Sequence, residues 1–249
     1  MLIRKWNHTW ILNIGYICDE GSSTTKKNNP YTGYPPEEGR YVRGNDFSPV
    51  AVAIILNAPA YDIPHELETL VNAGIAAGAA LSGMVQTENI GLEKIVCNIV
   101  SNPNIRYLVV AGPESEGHLT GEAVKALILN GVDAKRRIIG TNAPAPFLLN
   151  VPIEYIERFR KQLSLVDLEF RADPSIVEGA VRACCQEKPS IFCGYSLYDT
   201  GSYPAAPFSG VITWRVPQPW TEPTDEEEIT ARKKVEELKE RLKRRGKQA

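Results

Sequence analysis

The residues best suited to chemistry lie together in Gly112-Pro113-Glu114-Ser115-Glu116-Gly117-His118-Leu119-Thr120-Gly121. Three kinds of loop share parts of this pattern. A dinucleotide loop requires G-x-G-x-x-G so that the backbone can approach a pyrophosphate, and that spacing is absent. A phosphate loop requires G-x-x-x-x-G-K-[ST]. Gly112 and Gly117 have the spacing, but His118 stands where a lysine must reach the phosphates and Leu119 where a hydroxyl must hold Mg²⁺. Glu114 and Glu116 would also repel a phosphate. The third kind is a metal-ligating histidine on an exposed loop. Gly117 and Gly121 flank His118 and leave room for a bulky planar group beside the backbone. Neutral imidazole is a good ligand for a transition metal, and Glu116 or Thr120 could orient its other ring nitrogen.

A site made of protein ligands alone is poorly supported. His8 and His65 are remote in sequence, and Cys18, Cys97, Cys184, Cys185 and Cys193 form no C-x-x-C pair. A single histidine suits a metal already held by a macrocycle, such as haem or a corrin. Against this stands a histidine that merely caps a helix or lies on the surface, and the residues alone leave the two readings level.

The elements that must position this loop alternate in type. Residues 50–56 and 107–111 are apolar and strand-like, 76–85 reads as a small-residue buried strand, and 137–140 as a further short strand. Helical spacing appears over 65–73, 90–101, 119–130 and 153–166. Pro103 stops the second of these helices, and Asn130-Gly131 stops the third. Strands alternating with helices predict an α/β fold with a mostly parallel sheet covered by helices on both faces. Ligands in such folds bind beyond the carboxyl ends of strands, which directs attention to the residues just after Ala111 and Gly140.

Outside this core the chain changes character. Residues 1–36 read as an irregular lead, with 22–30 polar and flexible and order beginning near Gly39–Gly44. Residues 171–220 read as a C-terminal extension: a helix over 173–185, a loop over 194–207, a β segment over 210–216 and a stiff linker at 217–220. Residues 221–249 form a charged helical tail, with Ile229, Val235, Leu238 and Leu242 as a thin apolar stripe over 225–245. A net charge of −2 over 249 residues argues against a nucleic-acid partner. No apolar run approaches the roughly 20 residues needed to cross a bilayer. Residues 10–18 lack the cleavage site of a secretory signal, and an odd cysteine count without a framework fits a reducing cytoplasm.

At this point a family becomes recognisable. Thr87-Glu88-Asn89-Ile90-Gly91-Leu92-Glu93-Lys94-Ile95, Ser101-Asn102-Pro103-Asn104-Ile105-Arg106, Gly117-His118-Leu119-Thr120-Gly121, Asn130-Gly131-Val132-Asp133 and Arg137-Ile138-Ile139-Gly140 carry the likeness. So do Ala145-Pro146-Phe147 and Glu157-Arg158-Phe159-Arg160-Lys161-Gln162-Leu163. Together, between Tyr41 and Leu168, they resemble the A subunit of tetrahydromethanopterin S-methyltransferase (MtrA), the corrinoid-carrying member of a methanogen membrane complex. The resemblance implies a Rossmann-like domain over 37–170, a corrinoid cofactor (cobalamin or a relative) and His118 as the cobalt ligand and catalytic residue. It implies a methyltransferase that relays a methyl group from a methylated tetrahydropterin or tetrahydrofolate, through cobalt, to a thiol or other acceptor. A pterin- or folate-binding methyltransferase subunit is the implied partner. Corrinoid storage, delivery or regulation without methyl transfer is the alternative.

Three loops are then expected to meet at the corrinoid. They are Thr87, Glu88 and Asn89; Gly112 with Glu116, Gly117, His118, Leu119, Thr120 and Gly121; and Gly140, Thr141, Asn142, Ala143, Pro144, Ala145, Pro146 and Phe147. Thr87 or Asn89 could equally serve as the cap of the helix over 90–101. Glu116-x-His118-x-x-Gly121 is close to the D-x-H-x-x-G of common cobalamin modules, but the Gly-Gly pair those modules need is missing, which implies a shallower binding mode. Departures from the family are Pro144 in the third loop, a charged rather than membrane-spanning C-terminal segment, and the residues before Tyr31 and over 194–219, which do not share the likeness.

Overall fold

A computed structural model describes residues 25–59, 62–210 and 212, the backbone of two N-terminal strands, and the isolated positions 226, 229, 230 and 233. In chain order the elements are β1 (Ile3–Trp6), β2 (Thr9–Leu12), β3 (Tyr41–Arg43), β4 (Val50–Ile55), α1 (His65–Ala76), β5 (Leu81–Val85), α2 (Ile90–Val100) and β6 (Tyr107–Gly112). They continue with α3 (Thr120–Asn130), α4 (Ile153–Gln162), β7 (Ser164–Glu169), α5 (Pro174–Cys184), β8 (Ser190–Phe192) and β9 (Tyr195–Leu197).

The main sheet runs β1-β2-β3-β5-β4-β6-β7. Strands β5, β4, β6 and β7 are parallel, and β3 joins β5 antiparallel. β4 and β6 are buried at every position, as central strands covered on both faces must be. The pleat divides their side chains between two cores. Ala51, Ala53, Ile55, Leu108 and Val110 meet Leu92 and Val96 of α2, Val124 and Leu127 of α3, and Phe159 of α4. Val52, Ile54, Val109 and Val166 meet Leu67 and Leu70 of α1 and Val177 and Val181 of α5. The chain steps outward from β4 through α1 to β5, then back through α2 to β6 on the far side of β4. The winding therefore reverses between β4 and β6, and the crevice beyond their carboxyl ends is where such sheets hold ligands. His118 lies on the loop leaving β6.

Several expected boundaries shift. The strand expected over 76–85 begins only at Leu81, because Ala76 and Ala77 extend and cap α1, and Gly78, at φ +102°, then turns the chain. Residues 137–140 do not enter the sheet. They make only isolated bridges, Val132 with Ile138 and Arg137 with Phe147, between turns at Gly131 and Gly140 (φ +77° and +83°). The helix expected over 153–166 ends at Gln162. Leu163 is extended, and β7 follows with Val166 and Leu168 buried at alternate positions.

Residues 25–36 are irregular yet anchored. Asn28 exchanges two hydrogen bonds with the side chain of Asn104, Tyr31 N donates to Ser101 O, and Tyr34 is buried. The expected flexibility of 22–30 thus fails from residue 25 onward, because the backbone groups of this segment find partners in the core. In the extension, α5 forms as expected. The loop expected over 194–207 contains β9 at its start, paired with β8 across a Cys193-Gly194 turn in which both residues have positive φ. Gly210 and Ile212 are not in a strand; the rest of 210–216, the linker 217–220, and Val235, Leu238 and Leu242 lie outside the described residues. The chain divides into two units, Met1–Thr213 and Trp214–Ala249. In the second, positions 226, 229, 230 and 233 are helical, and Thr230 Oγ1 donates to Glu226 O at 2.8 Å. Among the described residues no helix is long and apolar enough to cross a membrane.

One buried side chain ties the end of α4 to the last turn of α2 and the turn leading into β6. Gln162 Nε2 donates to the carbonyls of Ile99, Asn102 and Ile105 at 3.2, 2.8 and 2.8 Å, and its Oε1 accepts from Arg158 Nε at 2.8 Å. Gln162→Leu leaves those carbonyls and Arg158 without this partner, so unfolding stability should fall by about 3 kcal/mol. The midpoint of urea unfolding measures this loss.

Candidate functional site

Three loops meet beyond the carboxyl ends of the parallel strands. The first follows β5. Thr87 Oγ1 accepts from Gly91 N at 2.9 Å and Asn89 Oδ1 accepts from Ile90 N at 2.7 Å, so both residues cap α2. Between them Glu88 is driven inward, with its side chain only 1% exposed.

The second loop leaves β6 at Gly112, whose φ of +93° and close approach to Ile55 O suit glycine alone. Glu114 folds back over the start of α3. Its Oε1 accepts from Ser115 N and Gly121 N at 2.7 and 2.8 Å, and its Oε2 from Glu122 N at 2.8 Å. An internal carboxylate thus occupies the anion position that a phosphate takes at a helix N-terminus. Burial opposes ionisation of Glu114, but these N–H groups outweigh it and hold the carboxyl below its usual range. Ser115 Oγ accepts from Thr120 N at 3.0 Å and donates to Thr120 Oγ1 at 2.8 Å. Thr120 Oγ1 in turn donates to Gln86 O at 2.7 Å, which fastens the second loop to the first. Gly117 and Leu119 both have positive φ and bracket His118, raising it from the loop.

The third loop, 140–147, lacks strand support and is latched by side chains of its neighbours. Ala145 N donates to Glu88 Oε1 at 2.9 Å, and Asn89 Nδ2 donates to Ala145 O at 3.3 Å. Glu122 Oε1 accepts from Asn142 N at 2.5 Å and from Asn142 Nδ2 at 3.2 Å.

His118 Nδ1 lies 2.8 Å from Glu88 Oε2, with the imidazole 44% exposed. A buried carboxylate accepting from Nδ1–H fixes the tautomer and leaves the Nε2 lone pair for a ligand. Among the described residues no three His, Cys, Asp or Glu side chains gather into a metal cage. One oriented imidazole is therefore the donor available here, and it fits a metal whose other positions are filled by a macrocycle. The surface agrees with a flat group. Glu116, Gly117, Asn142, Pro144 and Ala145 are exposed, mostly small, and a β-carbon placed on Gly117 would meet nothing within 4 Å.

The structure reassigns several residues. Glu88, rather than Glu116 or Thr120, takes the second ring nitrogen of His118. Thr120 is buried and spends its hydroxyl within the loops, and Gly112 and Gly121 are buried as well, so these three shape the loop from behind. Gly121 makes room for carboxylates rather than a planar ligand: its missing β-carbon would lie 2.8 Å from Glu169 Oε1 and 2.9 Å from Glu114 Oε2. In the third loop Ala143 and Pro146 are buried, while Pro144 and Ala145 face outward. Glu169 takes part without having been expected from the sequence, and Gln86, Glu114 and Ser115, though inside the expected loops, take roles that the sequence does not assign. Only Glu114 carries a signal there, as an acidic residue shortly before a helix start.

Comparison with known proteins singles out the same segment. The family model for the A subunit of tetrahydromethanopterin S-methyltransferase, MtrA, matches residues 27–197. Tetrahydromethanopterin S-methyltransferase A subunit 1 of Methanothermobacter marburgensis is 42% identical over 168 residues, which are 67% of this chain and 66% of that protein. A subunit 2 of the same enzyme from Methanobrevibacter ruminantium is 42% identical over 160 residues, 64% of this chain and 77% of that protein. A subunit 2 from Methanothermobacter thermautotrophicus is 44% identical over 152 residues, 61% of this chain and 77% of that protein. The chain thus spans just under two thirds of the length of the Methanothermobacter marburgensis relative. Since the family match takes in the four parallel strands and all three loops around His118, the chain belongs to the MtrA family, the A subunits of tetrahydromethanopterin S-methyltransferase.

Proposed function

We propose that this chain is a corrinoid-binding methyl carrier, with the cobalt of cobalamin or a related corrinoid on His118. The observation that carries the proposal is the Glu88–His118 pair, 2.8 Å apart, set among small residues at the carboxyl edge of the sheet. When bound, a corrinoid supplies cobalt chemistry that accepts and donates a methyl group.

The chain's own residues do the holding. His118 presents Nε2. Glu88 fixes the ring through Nδ1 and is itself fixed by Ala145 N–H. Thr87, Asn89, Thr141 and Asn142 supply polar groups suited to the amide rim of a corrinoid, and Pro144 and Ala145 an apolar edge. Because the third loop hangs on Glu88, Asn89 and Glu122, a change at His118 is felt there directly. The relatives' name points to a methylated tetrahydropterin as donor and a sulfur acceptor; in this reading a separate pterin-binding methyltransferase subunit holds the donor, and the carrier works in the cytoplasm.

Reconstitution with hydroxocobalamin should give an equimolar complex. On mixing with methylated tetrahydropterin and a pterin-binding methyltransferase, that complex should become methylated. Tight cobalamin binding without methyl exchange would mark a storage protein, and absence of binding would overturn the proposal.

A further inference from the structure

The loop carrying His118 is closed at its base by a carboxylate. Glu114 ties Ser115 to Gly121 and Glu122 through three charge-assisted hydrogen bonds, so residues 115–121 form a ring with His118 at its middle. That carboxylate meets a second. Glu169, the last residue of β7, approaches Glu114: its Oε1 and Glu114 Oε2 lie 2.8 and 2.9 Å from the vacant β-position of Gly121. Two carboxylates can share a hydrogen bond only if a proton lies between them. Glu114 already accepts three N–H bonds, so the proton resides on Glu169. Neither residue touches His118.

We propose that Glu114 and Glu169 act as a one-proton clamp that positions the His118 loop, and that the loop loosens when this proton is lost. The inference deepens the corrinoid reading and rests on it for its functional consequence. Among the described residues, the other charged groups facing the pair come from α3 and β7. Lys125 of α3 pairs with Glu169 and lies 3.3 Å from Asp167 of β7, and Glu122 of α3 is engaged by Asn142. With the proton in place, Lys125 balances Asp167 and the N–H groups balance Glu114. Without it a third carboxylate is uncompensated, and repulsion drives Glu114 off the amides.

The direction with pH follows. Burial, reinforced by Glu114, raises the Glu169 carboxyl against the pull of Lys125. A raised group stabilises while protonated, and its contribution disappears as pH rises through its folded value. The Glu114 carboxyl is lowered, so its bonds to the amides persist until strongly acid conditions. The clamp therefore holds while Glu114 is ionised and Glu169 protonated, and it opens as pH rises through the folded value of Glu169.

Hydrogen exchange of the Ser115, Gly121 and Glu122 amides in the cofactor-free protein tests this directly. Their protection factors should drop about tenfold or more as the proton leaves, a loss of at least ~1.4 kcal/mol. In Glu169→Gln the amide N–H donates to Glu114 without titrating, so protection should become independent of pH, and hydroxocobalamin binding should no longer weaken as pH rises through the range in which wild-type protection falls. Glu114→Gln should lower protection at every pH. Wild-type protection that does not change with pH overturns the clamp, whether or not the variants fold, and so does a Glu169→Gln variant that titrates like wild type. pH-dependent protection in a chain that binds no cobalamin supports the clamp and overturns the corrinoid reading instead.

Discussion

Replacing His118 with alanine should remove the nitrogen hyperfine coupling from the electron paramagnetic resonance spectrum of bound Co(II) cobalamin and weaken binding by more than a hundredfold. Glu88→Gln should keep the coupling but weaken binding by about ten- to a hundredfold, the usual cost of removing the group that orients a metal-binding histidine. Burial makes the carboxylate matter. Glu88 is 1% exposed and has two partners, His118 Nδ1 and Ala145 N–H. A glutamine there can accept one bond through its oxygen but carries no charge to hold the ring's proton on Nδ1. His118→Ala has a second effect, because it strips a buried carboxylate of one partner and destabilises the fold as well. His118→Gln separates the two effects. Its amide can still donate to Glu88 while offering no imidazole lone pair, so the fold should survive and the hyperfine coupling should still vanish. Unchanged visible and paramagnetic spectra in that variant would remove His118 from the cobalt.

How far the sequence reveals this site depends on distance along the chain. The central strands are legible because continuous apolar runs at 50–55 and 107–112 leave no alternative to double-sided burial. His118 is legible because its glycines and its place after a strand are local features. Glu88 lies 30 residues away from it. Its type and position suggest a hydrogen-bonding role, but nothing local can name its partner. The third loop looks like the end of a strand because Arg137–Gly140 contains two adjacent isoleucines. In the structure Ile138 is buried and Ile139 is 45% exposed, and the segment bridges to Phe147 instead.

The hidden strand β7 has an equally specific cause. Ile156, Phe159, Leu163 and Val166 keep a helical spacing straight across the end of α4 at the extended Leu163, so the periodicity of α4 runs on into residues that alternate as a strand. With β7 invisible, Glu169 cannot be placed, and with it goes the carboxylate pair behind the His118 loop. Glu114 is visible in the sequence, but there it reads only as an obstacle to phosphate. The structure shows the reason for its presence: it fills the anion position itself.

Gly121 is where these two readings of the loop give opposite results. If its role were to let a planar ligand approach, Gly121→Ala would weaken cofactor binding and leave the empty protein unharmed. The empty protein would even gain about 1 kcal/mol from the better helix former in the first turn of α3. The geometry predicts the reverse order of effects. A β-carbon at this position would stand 2.8 Å from Glu169 Oε1, 2.9 Å from Glu114 Oε2 and 3.1 Å from Glu169 Cδ. These are not flexible ends free to swing aside: Glu114 is held by three N–H groups and Glu169 by Lys125. Either Glu114 gives up its amides or Glu169 leaves its lysine. Overpacking and the lost bonds together should cost about 3 kcal/mol, leaving a net loss of about 2 kcal/mol after the helix gain. Urea unfolding of the cofactor-free protein measures it. Adding Glu169→Ala should recover much of the loss, because the shortened side chain vacates the space the new methyl group needs, and the two substitutions should therefore be strongly non-additive. A Gly121→Ala protein as stable as wild type would mean that the two carboxylates do not pack against this position, and the clamp would lose its geometric basis.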